Sequence, residues 1–131
     1  TGMDSMAVNL LRDKKIIVPV DFAWENDVIL DIGPKTIELY ESIIQTAKTV
    51  IWNGPVGYYE KPEFALGSKS IARAIIKSGA KSVVGGGETA SLIYQMGIAN
   101  KFTFVSTGGG AMLEFLAGRK LPGISALNTH D

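Results

Sequence analysis

The chain has no cysteine among its 131 residues and a single histidine, His130. Without thiols there is no disulfide, no thiolate nucleophile and no cysteine metal site, and one histidine near the end of the sequence leaves no partner for imidazole-based catalysis. Charge of one sign is also lacking. Thirteen Lys and Arg balance thirteen Asp and Glu, so no basic field argues for nucleic acid or for an anionic membrane surface. No apolar run approaches the roughly 18 residues that a membrane span requires, and no basic segment followed by an apolar one opens the sequence as a secretion leader would. The expectation is a cytoplasmic protein of one domain-sized unit, residues 1–131, with a small polar ligand. Thr1, Gly2 and Met3 read as a cloning scar ahead of an internal start.

Glycine, by contrast, is plentiful, and it clusters. Gly85-Gly86-Gly87-Glu88-Thr89 and Thr107-Gly108-Gly109-Gly110 each fall between a β-branched run and a run with helical period. A turn without Cβ atoms lets main chain approach a ligand closely, and a helix opening there presents unpaired N–H groups and the positive end of its dipole. Both turns suit phosphate. The plainer alternative is that glycine serves only tight turning and helix-on-sheet packing, which a second such turn makes less persuasive.

Asp4 or Ser5 predicts the cap of a short helix carrying Met6, Leu10 and Leu11, and Ile16 to Val20 reads as a buried strand closed by Pro19. Asp21 to Lys35 reads as an irregular connection. Thr36 is the predicted N-cap of a helix with Ile37, Tyr40, Ile43, Ile44 and Ala47 on one face, and Glu38 and Glu41 suit its first turn. A strand at Thr49 to Trp52 is broken by Asn53-Gly54-Pro55-Val56-Gly57, and a helix over Phe64 to Ser78 ends at Gly79. Strands follow at Lys81 to Val84 and Phe102 to Ser106. Each is succeeded by a glycine turn and a helix, the first helix stopping at Gly97 and the second at Gly118. Apolar strands alternating with helices predict an α/β fold: a Rossmann-like three-layer arrangement with a parallel sheet and helices on both faces. Ligands of such sheets gather at the carboxyl ends of the strands, where both glycine turns lie.

Gly85 to Ala90 satisfies a loose G-x-G-x-x-A pattern, but Ser106-Thr107 stand where a dinucleotide fold needs an acidic residue, and no G-x-x-x-x-G-K-[ST] loop occurs. Glu88 suits either the helix dipole or a divalent cation accompanying phosphate; Thr89 suits either a cap or a phosphate donor. Asn53, Pro55, Val56 and Glu60 mix polar and apolar groups after a strand, able to hold a flat base while Glu60 accepts ribose hydroxyls. Taken alone they form only a loop.

In order along the chain, Asp31-Ile-Gly-Pro-Lys-Thr36, Trp52-Asn-Gly-Pro-Val-Gly57, Gly85-Gly-Gly-Glu-Thr-Ala90, Ser106-Thr-Gly-Gly-Gly-Ala111 and Leu121-Pro-Gly-Ile124 closely resemble the C-terminal, nucleotide-binding domain of phosphoglycerate kinase. The resemblance runs from about Val8 to Leu127. It implies phosphoryl transfer in glycolysis between ATP and 3-phosphoglycerate, giving ADP and 1,3-bisphosphoglycerate, with Mg-ATP or Mg-ADP as the bound nucleotide. It further implies that Asn53, Pro55, Val56 and Glu60 hold adenosine, and that Gly86, Gly87, Glu88 and Thr89 lie at the nucleotide phosphates, with Glu88 toward the metal. Gly108 and Gly109 match the helix end facing the migrating phosphoryl group. Glu88 departs from the family pattern, which most often has Asp, and moves the carboxylate outward by about one methylene. The resemblance also implies that this is a part of the domain, without the early strands, the family's phosphate lysine or the N-terminal half that binds 3-phosphoglycerate. It is therefore expected to be inactive alone. A family usually monomeric would here have an open sheet edge, so self-association is a further expectation, and a non-catalytic nucleotide- or phosphate-binding module is the alternative function.

Overall fold

Asn26 and Asp27 both take positive φ, 50° and 62°, which is the backbone of a tight primed hairpin turn that asparagine and aspartate tolerate better than other side chains. They connect two antiparallel strands, β1 (Phe22–Glu25) and β2 (Val28–Ile32). The computed structural model describes residues 15–117. The hairpin replaces the irregular connection expected between Asp21 and Lys35; the two-residue turn is visible in the sequence only once its flanking apolar positions are read as paired strands. Along the rest of the chain come α1 (Pro34–Thr46), β3 (Thr49–Asn53), α2 (Leu66–Ser78), β4 (Lys81–Gly85), α3 (Gly87–Gln95), β5 (Phe104–Ser106) and α4 (Gly109–Leu116). Short 3-10 turns precede α2 at Pro62–Phe64 and β5 at Ala99–Lys101. The expected helix before residue 15 and the tail beyond Leu121 lie outside the described residues.

Strands β3, β4 and β5 form a parallel sheet in that order. Its register decides which side chains share a layer. Trp52, Val84 and Val105 stand in one row and face α2 and α3, whose Ile71, Ile75, Leu92 and Ile93 complete the core. Ile51, Val83 and Phe104 form the row on the opposite face, and the next position along that face, Gly85, is where Met112 of α4 packs. The sheet thus carries helices on both faces, as the alternation predicts. Among the described residues the α4 side is covered at one end, and Ile51 is 49% and Phe104 59% exposed.

Ile16 to Val20 does not form the expected buried strand. Residues 16–19 have no regular structure, and Ile16, Ile17, Val18 and Val20 are exposed. A strand needs a ladder neighbour, and no described strand pairs with this segment. Its polar groups turn to α1 instead: the Tyr40 hydroxyl donates to the Ile17 carbonyl at 3.0 Å, and the Val20 N–H donates to Thr36 Oγ1 at 3.0 Å. Burial pushes the Tyr40 phenol up from its ordinary value.

Thr36 is likewise not the N-cap of its helix. Helix α1 begins at Pro34, a proline at the first turn where a missing N–H costs nothing, and Gly33 is the cap. Glu38 and Glu41 consequently fall beyond the first turn, which has no acidic residue. The capping carboxylate comes from elsewhere in the chain. Asp21 accepts the Lys35 and Thr36 N–H groups at 2.9 and 2.7 Å and the Thr36 hydroxyl at 2.6 Å, and Thr36 is fully buried beneath it. Burial acts to raise the Asp21 carboxyl, but the hydrogen bonds from Thr36 and Lys35 and the Lys35 charge outweigh it and hold the group below the ordinary aspartate value.

A carboxyl whose pKa is depressed by folding stabilises the fold fully above its unfolded value, near pH 4, and loses that contribution as pH falls through the lower folded value. Thermal unfolding followed from pH 6 downward is expected to show a drop in stability of the wild-type chain below about pH 4, and Asp21→Asn to be less stable at pH 6 with a shallower decline. Parallel curves for the two proteins would rule this capping role out.

Candidate functional site

The site is built where β3, β4 and β5 end, because Asn53, Gly85 and Ser106 are aligned in one register row at the carboxyl edge of the sheet. From β4 the chain turns at Gly86, whose φ of 102° excludes ordinary side chains, and enters α3 at Gly87. From β5 it passes Thr107 and Gly108 into α4 at Gly109. The two glycine turns meet. A Cβ on Gly109 would stand 2.8 Å from Gly86 Cα and 2.9 Å from Gly86 N, and would overlap Asn53 Oδ1. Two helix N-termini, each with N–H groups that lack an intrahelical acceptor, therefore open side by side at one edge of the sheet.

Side chains fix this arrangement from behind. Thr89 is fully buried, and its Oγ1 accepts the Gly54 N–H at 2.9 Å, tying the Asn53-Gly54-Pro55 turn to the first turn of α3. Ser68, also fully buried, accepts the Val56 N–H at 3.0 Å and holds the same turn against α2. Ser106 Oγ accepts the Gly108 N–H at 3.1 Å, and the Gly108 carbonyl accepts the Met112 N–H at 2.8 Å to start α4.

The sequence-derived candidates separate into groups. Asn53, Gly86 and Gly109 are in mutual proximity, with Thr89 beneath them. Gly87, Glu88 and Gly108 are exposed beside them. Val56 lines an apolar recess with Trp52, Tyr40 and Ile71, and Pro55 is half-buried in the turn. Glu60 is exposed and borders a different feature, the groove between α2 and α3. Among the described residues no group of three or more acidic, histidine or cysteine side chains could hold a metal by itself. One exposed carboxylate at a helix start suits a magnesium ion that arrives on phosphate oxygens and keeps most of its waters.

Asp31 was not singled out by residue type, yet it joins the hairpin to the rest of the site. This buried carboxylate accepts the Gly67 N–H at the start of α2 at 2.9 Å and the Ile32 N–H at 2.8 Å. A Cβ on either Gly57 or Gly67 would collide with it. An acid inside the apolar run Val28–Ile32 was the available signal, since a buried charge demands a partner.

Parallel sheet, crossover helices and paired glycine turns at the strand ends define an α/β protein of the nucleotide-binding type. Residues 3–119 match the family model described as phosphoglycerate kinase, and the chain belongs to that family. It is 51% identical over 109 residues to the phosphoglycerate kinase of Solibacter usitatus, covering 83% of this chain and 28% of that protein. To the one from Clostridium tetani it is 54% identical over 99 residues, covering 76% and 25%. Among solved structures, phosphoglycerate kinase from Pyrococcus horikoshii superposes with a TM-score of 0.81 at 39% identity, over 95% of this chain and 36% of that one. The Coxiella burnetii structure gives 0.70 at 41% identity, over 78% and 26%. The chain thus spans about a quarter of the length of the curated relatives it matches.

Because the Gly109 position is closed by backbone, Gly109→Ala is expected to destabilise the chain by about 1–3 kcal/mol, whereas Gly110→Ala, which meets nothing, should not. Thr89→Val should cost about 1–3 kcal/mol through the orphaned Gly54 N–H, and Thr89→Ser distinctly less. Urea denaturation of the four variants checks both, and equal behaviour of Gly109→Ala and Gly110→Ala would contradict the close approach.

Proposed function

We propose that this chain is the nucleotide side of a phosphoglycerate kinase, contributing to the transfer of a phosphoryl group between Mg-ATP and 3-phosphoglycerate to give Mg-ADP and 1,3-bisphosphoglycerate. The supporting observation is the contact between the Gly86 and Gly109 turns, which sets two helix N-termini at one place. Phosphoryl transfer asks the protein mainly to position the groups in line and to stabilise charge on the phosphate oxygens. Main-chain N–H groups at Gly87, Glu88 and Thr89 would receive the nucleotide phosphates, and the α4 opening at Gly108 and Gly109 would face the migrating group, through the Gly109 N–H because that of Gly108 is taken by Ser106 Oγ. Asn53, Pro55, Val56 and Glu60 would hold adenosine, with Glu60 accepting ribose hydroxyls.

Magnesium, when bound with the nucleotide, neutralises phosphate charge, and Glu88 is the carboxylate that would face it. The acceptor 3-phosphoglycerate belongs to the portion of the family length outside this chain, so turnover is assigned to the whole protein and nucleotide contact to this part. Ile17, Val20, Phe22, Trp24, Ile51 and Phe104 present exposed apolar surface that suits burial by that portion or by a second copy. A cytoplasmic setting accords with a glycolytic role, and no helix among the described residues is long and apolar enough to cross a membrane.

Titration of the 131-residue chain with Mg-ADP by calorimetry is expected to give saturable binding that Glu60→Ala weakens and Gly87→Leu abolishes. Gly87 is the informative position because it is exposed and a Cβ there has open space around it, so the substitution is directed at the ligand and not at the fold. Adding the missing N-terminal portion should restore ATP synthesis dependent on the acyl phosphate. Binding without restored turnover would favour a non-catalytic module, and no binding would reject the nucleotide assignment.

A further inference from the structure

Behind the sheet, on the face away from α4, helices α2 and α3 border an open groove of about 910 Å³. Its walls are unequally charged. Lys69, Arg73 and Lys77 recur every four residues on α2, and Lys101 approaches from the 3-10 turn after α3, against Glu60 as the acidic side chain on the rim. None of these four cations forms an ion pair among the described residues. Arg73 and Lys77 also border a smaller recess toward α1 that contains Glu38 and Glu41, so their charge is partly offset from behind, and Lys69 and Lys101 do not line that recess.

The floor of the groove is apolar. Ile76 from α2, Met96 at the end of α3 and Ile98 are half-buried there, with the Tyr59 ring at one end. At 1.5 Å per residue the α2 cations extend over about 12 Å, too far for one phosphate or carboxylate to reach them all. The space itself is within the range of small-molecule sites, roughly 300–1,000 Å³. Separated cations above an apolar floor match a ligand with separated anionic groups on an apolar body.

We propose that the α2–α3 groove binds a small polyanion, a molecule with two or more phosphate or carboxylate groups on a flat or apolar body, at a site separate from the glycine turns. Arg73, with its planar fork of donors, and Lys77 would take one anionic group, and Lys69 and Lys101 another. Glu60 opposes such a ligand, because its carboxylate stands on the same rim.

The dye pyranine, a flat aromatic body with several sulfonates, is a suitable probe. Titrated into the 131-residue chain and followed by fluorescence anisotropy, it is expected to bind saturably, to be displaced by inorganic tripolyphosphate, and to bind less tightly as salt rises. The double substitution Arg73→Glu with Lys77→Glu should weaken it by about tenfold or more, and Lys69→Ala with Lys101→Ala should weaken it by a smaller factor. Glu60→Gln should tighten it, the opposite of the effect expected there for Mg-ADP. Lys48→Glu, an exposed position outside the groove, should leave it unchanged. Gly87→Leu separates the two sites: undiminished dye binding supports the groove, whereas loss of binding places the dye at the glycine turns and overturns the proposal. Absence of saturable binding, or indifference to both cation pairs, overturns it as well.

Discussion

Everything at the carboxyl edge of this sheet depends on two stretches of main chain touching. Gly86 and Gly109 can lie against each other and against Asn53 because neither carries a Cβ, and the contact aligns the openings of α3 and α4. A single helix N-terminus offers about half a unit of positive charge, spread over a few N–H groups. Two of them side by side, held by a rigid parallel sheet, offer a larger field at one point without any cationic side chain. The arrangement suits a phosphate ligand in a chain of zero net charge.

That edge is tied by side-chain oxygen atoms as well as by apolar packing. Thr89 and Ser68 each accept one N–H of the Asn53–Val56 segment, Asp31 accepts the Gly67 amide in the first turn of α2, and Asp21 with Thr36 fastens the hairpin to α1. Each of these side chains is paired, and each pairs with main chain far from it in sequence. Removing one would strand a buried donor, so the polar framework is specific where an oily one would be tolerant. The Lys61–Glu25 ion pair at 2.6 Å adds a further tie from the loop to the hairpin, at a solvent-exposed position where screening limits its weight.

The regular elements from Thr49 onward were legible in the sequence, with boundaries differing by a few residues. Strand β5 starts at Phe104 and not Phe102, since Ser82 and Thr103 exchange side-chain-to-main-chain hydrogen bonds at 2.9 and 3.1 Å in place of a ladder pair. Helix α1 was legible too, with its start displaced from Thr36 to Pro34, whereas the region before Pro34 was not. An apolar run such as Ile16–Val20 becomes a strand only beside another strand, and Thr36 could be recognised as a buried anchor only once Asp21 was known to reach it. Of the candidate site, the glycines, Asn53 and Thr89 were found by pattern and by resemblance. Glu60 comes from the same resemblance and stands on the rim of the α2–α3 groove.

Local chemistry therefore settled the alternation of helices and strands, the glycine turns, the family to which the chain belongs and the absence of thiol chemistry, because propensity, period and motif act over short spans of sequence. Tertiary structure decided that the two turns meet, that Thr89 and Asp31 spend their oxygens on distant amides, that Ile16–Val20 stays outside the sheet, and that four cations border one groove. Those outcomes depend on which residues far apart in the chain arrive within a few ångströms of each other, and hydrogen bonding and charge act at that range.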